Sequence, residues 1–218
     1  MTAFVVDFDS TIVRVEGLEV LSQIVLAGDP DRDETLATIA ALTDRAMSGE
    51  MAFEDSLRAR LALLRPDRAQ VAAAAERLRG ELTPSARRCA AFFASPDVYV
   101  LSGGFREMIA PTAADLGVPD DRILANSFVF GADGRAEGCD TANPLSRSGG
   151  KAEAVRRLGR TDEVVAVGDG WTDYEIRAGG AAQRFYAFVE NVERPRVVAH
   201  ADRVARSFED LLAQEGLA

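Results

Sequence analysis

Apolar positions fall into two rhythms along the chain, and the change of rhythm divides it. Ala3-Phe4-Val5-Val6 is an unbroken apolar run with β-branched members, the pattern of a strand buried on both faces. It ends abruptly in Asp7-Phe8-Asp9-Ser10-Thr11. From about Gly17 to Gly80 helical spacing takes over. Leu18, Leu21, Ser22 and Val25 share one face before Gly28-Asp29-Pro30. Leu36, Ile39, Ala40, Thr43 and Met47 form a second stripe closed by Ser48-Gly49, and Phe53, Leu57, Leu61 and Leu64 a third closed by Pro66. A weaker, Ala-rich stretch covers 67–79. No strand pattern interrupts these four, so residues 15–81 predict a small helical bundle.

After Pro84 strands and helices alternate. The pattern predicts a helix over 85–93, a strand over 98–101, the turn Ser102-Gly103-Gly104 and a helix over 105–116. Residues 122–130 and 135–138 bracket Gly131-Ala132-Asp133-Gly134, whose Asp-Gly marks a hairpin. A helix opens at Gly149-Gly150-Lys151, a strand over 164–167 delivers Gly168-Asp169-Gly170, and a further helix ends at Gly179-Gly180. Beyond Gly180 no element is assigned. The expected fold class is α/β: a Rossmann-like parallel sheet with helices on both faces, formed by residues 1–14 and 82–218, with the helical bundle of 15–81 inserted after the first strand.

Composition narrows the chemistry. With 218 residues, 47% of them hydrophobic, the chain can bury a core without staples. Its 35 acidic against 25 basic side chains, a net charge of −10, argue against nucleic-acid or anionic-membrane partners. Cys89 and Cys139 are too few for a disulfide framework or a zinc cluster. His200 is the only histidine, which leaves little room for a histidine metal site or a Ser-His-Asp triad. No run approaches the ~18 apolar residues of a membrane span, and the start lacks a signal peptide's apolar stretch, so a cytoplasmic protein is expected. Carboxylates, lysine and arginine must carry any chemistry.

Ligands of open α/β sheets collect beyond the carboxyl ends of the strands. Three expected strands end there in polar turns: Asp7-Phe8-Asp9-Ser10-Thr11, Ser102-Gly103-Gly104 and Gly168-Asp169-Gly170-Trp171-Thr172-Asp173. Each alone reads as a turn or a helix cap. Together they bring Asp7, Asp9 and Asp169 to one edge, an arrangement that repels itself unless a cation neutralises it. An all-oxygen donor set favours Mg²⁺, held by the Asp7 side chain and the Asp9 carbonyl, with the Asp9 side chain left free for proton transfer. Gly150-Lys151 is not a P-loop, because Ala152 replaces the required Ser or Thr and Leu145 stands where the first Gly belongs.

In this order, Asp-Phe-Asp-Ser-Thr, Ser-Gly-Gly, Gly-Gly-Lys and Gly-Asp-Gly-x-Thr-Asp closely resemble the motifs of the haloacid dehalogenase superfamily of phosphatases. The resemblance extends from Phe4 to about residue 210, and the helical insertion looks like the cap of the phosphoserine phosphatases and their close relatives. It implies a small-molecule phosphomonoester substrate and two-step phosphoryl transfer, with Asp7 as nucleophile and Asp9 as general acid and base. It also implies Mg²⁺ on Asp7, Asp9 and Asp169 with Asp173 in support, and phosphate held by Ser102, Gly103, Gly104 and Lys151. By the same resemblance Glu16, Met47, Phe53 and Arg60 would hold an amino acid. Thr172 counts among the substrate contacts although many bacterial relatives have Asn there, and Trp171 is bulkier than the small residue common at its position.

On its own periodicity Arg60 joins the apolar stripe of Phe53, Leu57 and Leu64. It is either a rim residue that snorkels to water or a cation facing a closed cleft and binding a carboxylate. Met47 and Phe53 read equally as core, and Glu16 as a helix-start acid. The runner-up substrate is another small phosphorylated metabolite, such as phosphoethanolamine, phosphohomoserine or a sugar phosphate. Monomer and homodimer both remain open.

Overall fold

A computed structural model of the chain describes residues 2–217. Its strands are β1 (Thr2–Val6), β2 (Val98–Phe105), β3 (Ile123–Asn126), β4 (Phe128–Phe130), β5 (Ala136–Cys139), β6 (Glu163–Gly168), β7 (Arg184–Phe188) and β8 (Arg203–Ala205). Its helices are α1 (Gly17–Val25), α2 (Arg32–Met47), α3 (Phe53–Leu64), α4 (Arg68–Arg79), α5 (Pro84–Arg88), α6 (Ala90–Ala94), α7 (Arg106–Asp115), α8 (Gly150–Arg157), α9 (Trp171–Ala178), α10 (Pro195–Val198) and α11 (Phe208–Gln214).

Six strands form one sheet in the order β3-β2-β1-β6-β7-β8, every neighbouring pair parallel. All connections therefore cross over the sheet, and the carboxyl ends share one edge. β1 lies between β2 and β6, with Val5 opposite both Tyr99 and Ala166. Its residues alternate between two cores, as strand geometry requires. Phe4 and Val6 join one cluster with Phe93, Met108, Phe188 and Phe208, while Ala3 and Val5 join the other with Val155, Ile176 and Val197. β4 and β5 form a separate antiparallel hairpin around the Asp133-Gly134 turn.

Helices α1–α4 lie in the stretch expected to be helical. An antiparallel bridge between Val13 and Leu82 brings the two ends of that stretch together, and α4 packs on α7 of the sheet layer. Leu18, Leu21, Phe53, Leu57 and Leu78 share the cluster of Phe4 and Val6, whereas Leu26, Ile39 and Leu64 form a small cluster of their own.

Four details depart from the sequence reading. β2 continues through Ser102-Gly103-Gly104 to Phe105, so that motif is the irregular end of a strand, where the register with β3 shifts. The helix expected over 85–93 breaks at Cys89 into α5 and α6, which lets Phe92 meet Phe4 and Phe93 meet Phe208. The run 122–130 is two strands, β3 in the large sheet and β4 in the hairpin. Beyond Gly180 the chain adds β7, α10, β8 and α11.

Phe208 on α11 is fully buried against Phe93 and Phe188, at 4.9 and 4.6 Å between ring centroids. Phe208→Ala should cost about 3–5 kcal/mol of stability, read from urea unfolding, because the cavity closes only partly. A loss below about 1 kcal/mol would mean that α11 is not part of the cooperative core.

Candidate active site

The end of β1 sets the geometry. Asp7 N–H continues the ladder by donating to the Val167 carbonyl at 2.9 Å, and Asp7 Oδ1 accepts from Phe8 N at 2.8 Å. The chain then makes one wide turn over Phe8–Ile12, closed by Val13 N donating to Phe8 O at 3.0 Å. Inside it Asp9 is extended and Ser10 is left-handed (φ 53°, ψ 3°). That conformation costs a non-glycine residue on the order of 1–3 kcal/mol and persists only where surrounding bonds hold it. It leaves both Asp7 and Asp9 facing the cleft, with Asp9 Oδ1 accepting from Gly17 N at 2.8 Å.

Lys151, in the first turn of α8, is buried between two acids: its Nζ lies 2.8 Å from Asp7 Oδ1 and 2.7 Å from Asp173 Oδ1. Burial works against the charged ammonium, but Asp173 and Asp7 outweigh it and hold its pKa above the ordinary lysine value. Asp173 is fully engaged, since its other oxygen accepts from Gly170 N at 3.0 Å. It lies beneath the cleft and steadies Lys151 and the turn after β6. Asp169, which opens that turn, accepts from Thr11 Oγ1 at 3.4 Å and from Arg194 Nε at 3.0 Å. Burial, with Glu16 and Asp7 nearby, pushes its pKa up to about 7 against the pull of Arg194. Burial likewise raises Asp9 well above the usual carboxylate range, reinforced by Glu16 and Asp7 and opposed by the Gly17 N–H and Lys151. A carboxyl with that environment can carry a proton at neutral pH.

Asp7, Asp169 and Asp173 each offer an oxygen within 4.8 Å of the others, all buried. This all-oxygen, net-acidic set fits a hard divalent cation. Ser102 is buried and its Oγ accepts from Gly104 N at 2.9 Å, leaving its own hydrogen free to donate. Gly103 sits directly under Phe53: a Cβ there would stand 2.5 Å from the Phe53 ring, so only glycine admits the α3 side chain this close.

Around these groups lies a cleft lined by the predicted Asp7, Asp9, Glu16, Met47, Phe53, Arg60, Ser102, Gly103, Gly104, Lys151, Asp169 and Thr172. Arg60 is 3% exposed, which settles its alternative: it faces the cleft and does not reach to water. Its Nε and one terminal nitrogen donate to Ser56 O and Thr43 Oγ1, at 3.3 and 3.2 Å, and it forms no ion pair among the described residues. Burial lowers its pKa, against the attraction of Glu16, Asp9 and Glu19. Glu16 accepts from Ser10 Oγ at 2.6 Å and lies 3.8 Å from Arg194. Trp171 is not among the lining residues. Its ring lies against Gly49 (φ +76°), where a Cβ would come within 2.6 Å, and under the Arg196 guanidinium.

Four participants escaped sequence reasoning. Leu18 lines the cleft, and Glu19 lies near the lining residues Glu16 and Arg60. From the loop after β7, Arg194 bonds the lining Asp169 and Asn191 bonds the Ser10 carbonyl. Arg194 joins Asp169, Glu16 and, at 3.2 Å, Asp44 of α2. The signal for this loop was available in Phe185-Tyr186-Ala187-Phe188, an apolar run whose carboxyl end falls on the ligand edge.

Half-buried Glu19 has its pKa raised to about 7 by burial, Glu16 and Asp44, from a starting value of 4.5. A carboxyl raised on folding supports the fold below its unfolded pKa and loses that support as pH climbs to its folded one. Glu19→Gln should therefore gain thermal stability over the parent as pH rises from about 5 to about 8; a constant difference across that range would contradict the assignment.

Residues 4–176 match the family model of the haloacid dehalogenase-like hydrolases. The chain is 38% identical over 211 residues to the chloroplastic phosphoserine phosphatase of Arabidopsis thaliana, covering 94% of this chain and 69% of that protein. It is 32% identical over 213 residues to the Homo sapiens phosphoserine phosphatase, covering 95% and 90%. Among solved structures it superposes on a phosphoserine phosphohydrolase-like protein of Francisella tularensis with a TM-score of 0.89 at 29% identity, covering 98% and 99% of the two chains. A substrate-bound phosphoserine phosphatase complex matches with a TM-score of 0.78 at 25% identity, covering 98% of each. Among the described residues no helix is long and apolar enough to cross a membrane. With the family's motifs assembled around one cleft, the chain belongs to the haloacid dehalogenase-like hydrolases.

Proposed function

We propose that the chain hydrolyses O-phosphoserine to serine and phosphate through an aspartyl-phosphate at Asp7. The observation that carries the substrate is Arg60: a buried guanidinium without an acidic partner, facing the same closed cleft as Asp7 and Lys151. An unpaired buried cation is expensive, and a substrate carboxylate would satisfy its free donors. Glu16 would receive the substrate ammonium, with Met47, Phe53 and Leu18 enclosing the short carbon frame. The relatives named phosphoserine phosphatase support this reading.

In the first step an Asp7 oxygen attacks phosphorus while Asp9, protonated, gives its proton to the departing serine oxygen. Lys151, the Ser102 hydroxyl and the Gly103 amide hold the phosphoryl oxygens, the Gly104 amide steadies the Ser102 oxygen, and Thr172 borders them. In the second step Asp9 takes a proton from water as the water attacks phosphorus, and Asp7 and free phosphate are released. Mg²⁺, held by the Asp7 carboxylate, the Asp9 carbonyl and Asp169, would offset the charge between nucleophile and phosphate. Asp173 supports that site by fixing Lys151.

Residues 15–81 act in this reading as a cap over a catalytic core of 1–14 and 82–218. The cap meets the core beside the cleft, where Ser148 N and Oγ donate to Glu54 at 2.8 and 2.7 Å and Phe53 N donates to Ser148 Oγ at 3.1 Å. Closure would keep water from the acyl phosphate until serine leaves.

Asp7→Asn should abolish turnover of every phosphate ester while circular dichroism and the unfolding midpoint stay near the parent's; residual turnover would refute the nucleophile. Arg60→Ala should raise KM for phosphoserine at least about tenfold, the loss of one charged hydrogen bond, and leave p-nitrophenyl phosphate within about threefold. Equal losses on both substrates would make Arg60 structural and remove the carboxylate contact.

A further inference from the structure

Among the groups that hold the turn carrying Asp9 from outside, one side chain reaches two of its carbonyls. Asn191, in the loop after β7, aims its amide nitrogen at the Ser10 carbonyl (3.0 Å), at Thr83 Oγ1 (2.7 Å) and, at longer range, at the Thr11 carbonyl (3.4 Å). Thr83 passes the bond on, its hydroxyl donating to Thr11 O at 2.7 Å and its amide to Ile12 O at 2.9 Å. The carbonyls of Ser10, Thr11 and Ile12 thus each take a donor from elsewhere in the chain. All of Asn191's neighbours here are acceptors, which fixes its nitrogen on this side.

We infer that Asn191 is a positioning residue for proton transfer by Asp9. Ser10, the residue after Asp9, sits in the left-handed region, where a serine is strained. Ser10 is also held through its N–H to Val15 O at 3.2 Å and its hydroxyl to Glu16 at 2.6 Å, but its carbonyl takes its donor from Asn191. Without that donor the peptide after Ser10 can rotate and shift the neighbouring Asp9. The Asp9 side chain itself accepts from Gly17 N on Oδ1. A carboxyl displaced by about 1 Å from the leaving oxygen loses on the order of a hundredfold in rate. The neighbours of Asn191 brace the same loop: Glu190 accepts from the hydroxyl of Ser85, and Arg194 holds Asp169.

The inference rests on the reading of Asp9 as general acid, and leaving groups separate the two. Departing serine is a poor leaving group that needs a proton; p-nitrophenolate barely does. The experiment measures kcat/KM for phosphoserine and for p-nitrophenyl phosphate in the parent, Asn191→Ala, the isosteric Asn191→Asp and Asp9→Asn, each with its unfolding midpoint. Asn191→Ala and Asn191→Asp should lose about tenfold to a hundredfold on phosphoserine and less than about threefold on p-nitrophenyl phosphate, a weaker copy of the Asp9→Asn signature. Equal losses on the two esters in both Asn191 variants, with Asp9→Asn still selective, would overturn the inference alone and make Asn191 a structural brace. Equal losses in Asp9→Asn as well would overturn the general-acid reading beneath it.

Discussion

One ammonium between two buried acids organises this site. Lys151 stands within hydrogen-bond reach of Asp7 and Asp173, and none of the three has appreciable contact with water. Taking such charges out of water costs several kcal/mol per ion unless partners compensate closely. The compensation here is specific: Asp173 spends one oxygen on Lys151 and the other on the turn after β6, while Asp7 spends one on Lys151 and on the turn after β1. The ion pair therefore ties α8, α9 and β1 together at the place where the parallel sheet delivers its loops. With Asp9 and Asp169 added, acid outnumbers base at the cleft floor, and the raised pKa values of both follow from burial and from repulsion by Glu16 and Asp7. A site so biased toward negative charge favours a cation, and with it a dianionic phosphate.

The upper half of the cleft carries charge of both signs. Arg60 enters it from an otherwise apolar helix face with no acid in contact, while Glu16 is held to one side by Ser10 and Arg194. A small zwitterion complements that pair of charges and the apolar surfaces of Leu18, Met47 and Phe53. On the proposed reading, recognition falls to the helical insertion and chemistry to the sheet, and Phe53 over Gly103 is one of the places where the two touch.

Much of this was legible in the sequence because its signals are local. An apolar run ending in Asp, Gly or Ser marks a strand whose end lies at the ligand edge of such a sheet, which led to Asp7, Asp9, Ser102 and Asp169, all lining one cleft. Helical spacing placed Arg60 on a buried face before any coordinates, though not whether it faced water or a cleft; only its packing decided that. Asn191 and Arg194 left no comparable mark. Their bonds to Ser10 O and Asp169 span about 180 and 25 residues of chain respectively, and spacing carries no trace of such pairings. The break at Cys89 and the strand character of Ser102-Gly103-Gly104 were hidden for the same reason, since tertiary packing sets both against local propensity.

The most direct measurement traps the bond on which the chemistry turns. Enzyme quenched in acid during turnover of phosphoserine and reduced with tritiated borohydride would convert an aspartyl phosphate to labelled homoserine. The account predicts label in the amino-terminal peptide, at Asp7 and nowhere else. Label at another carboxylate, or phosphate release with no label at all, would contradict it.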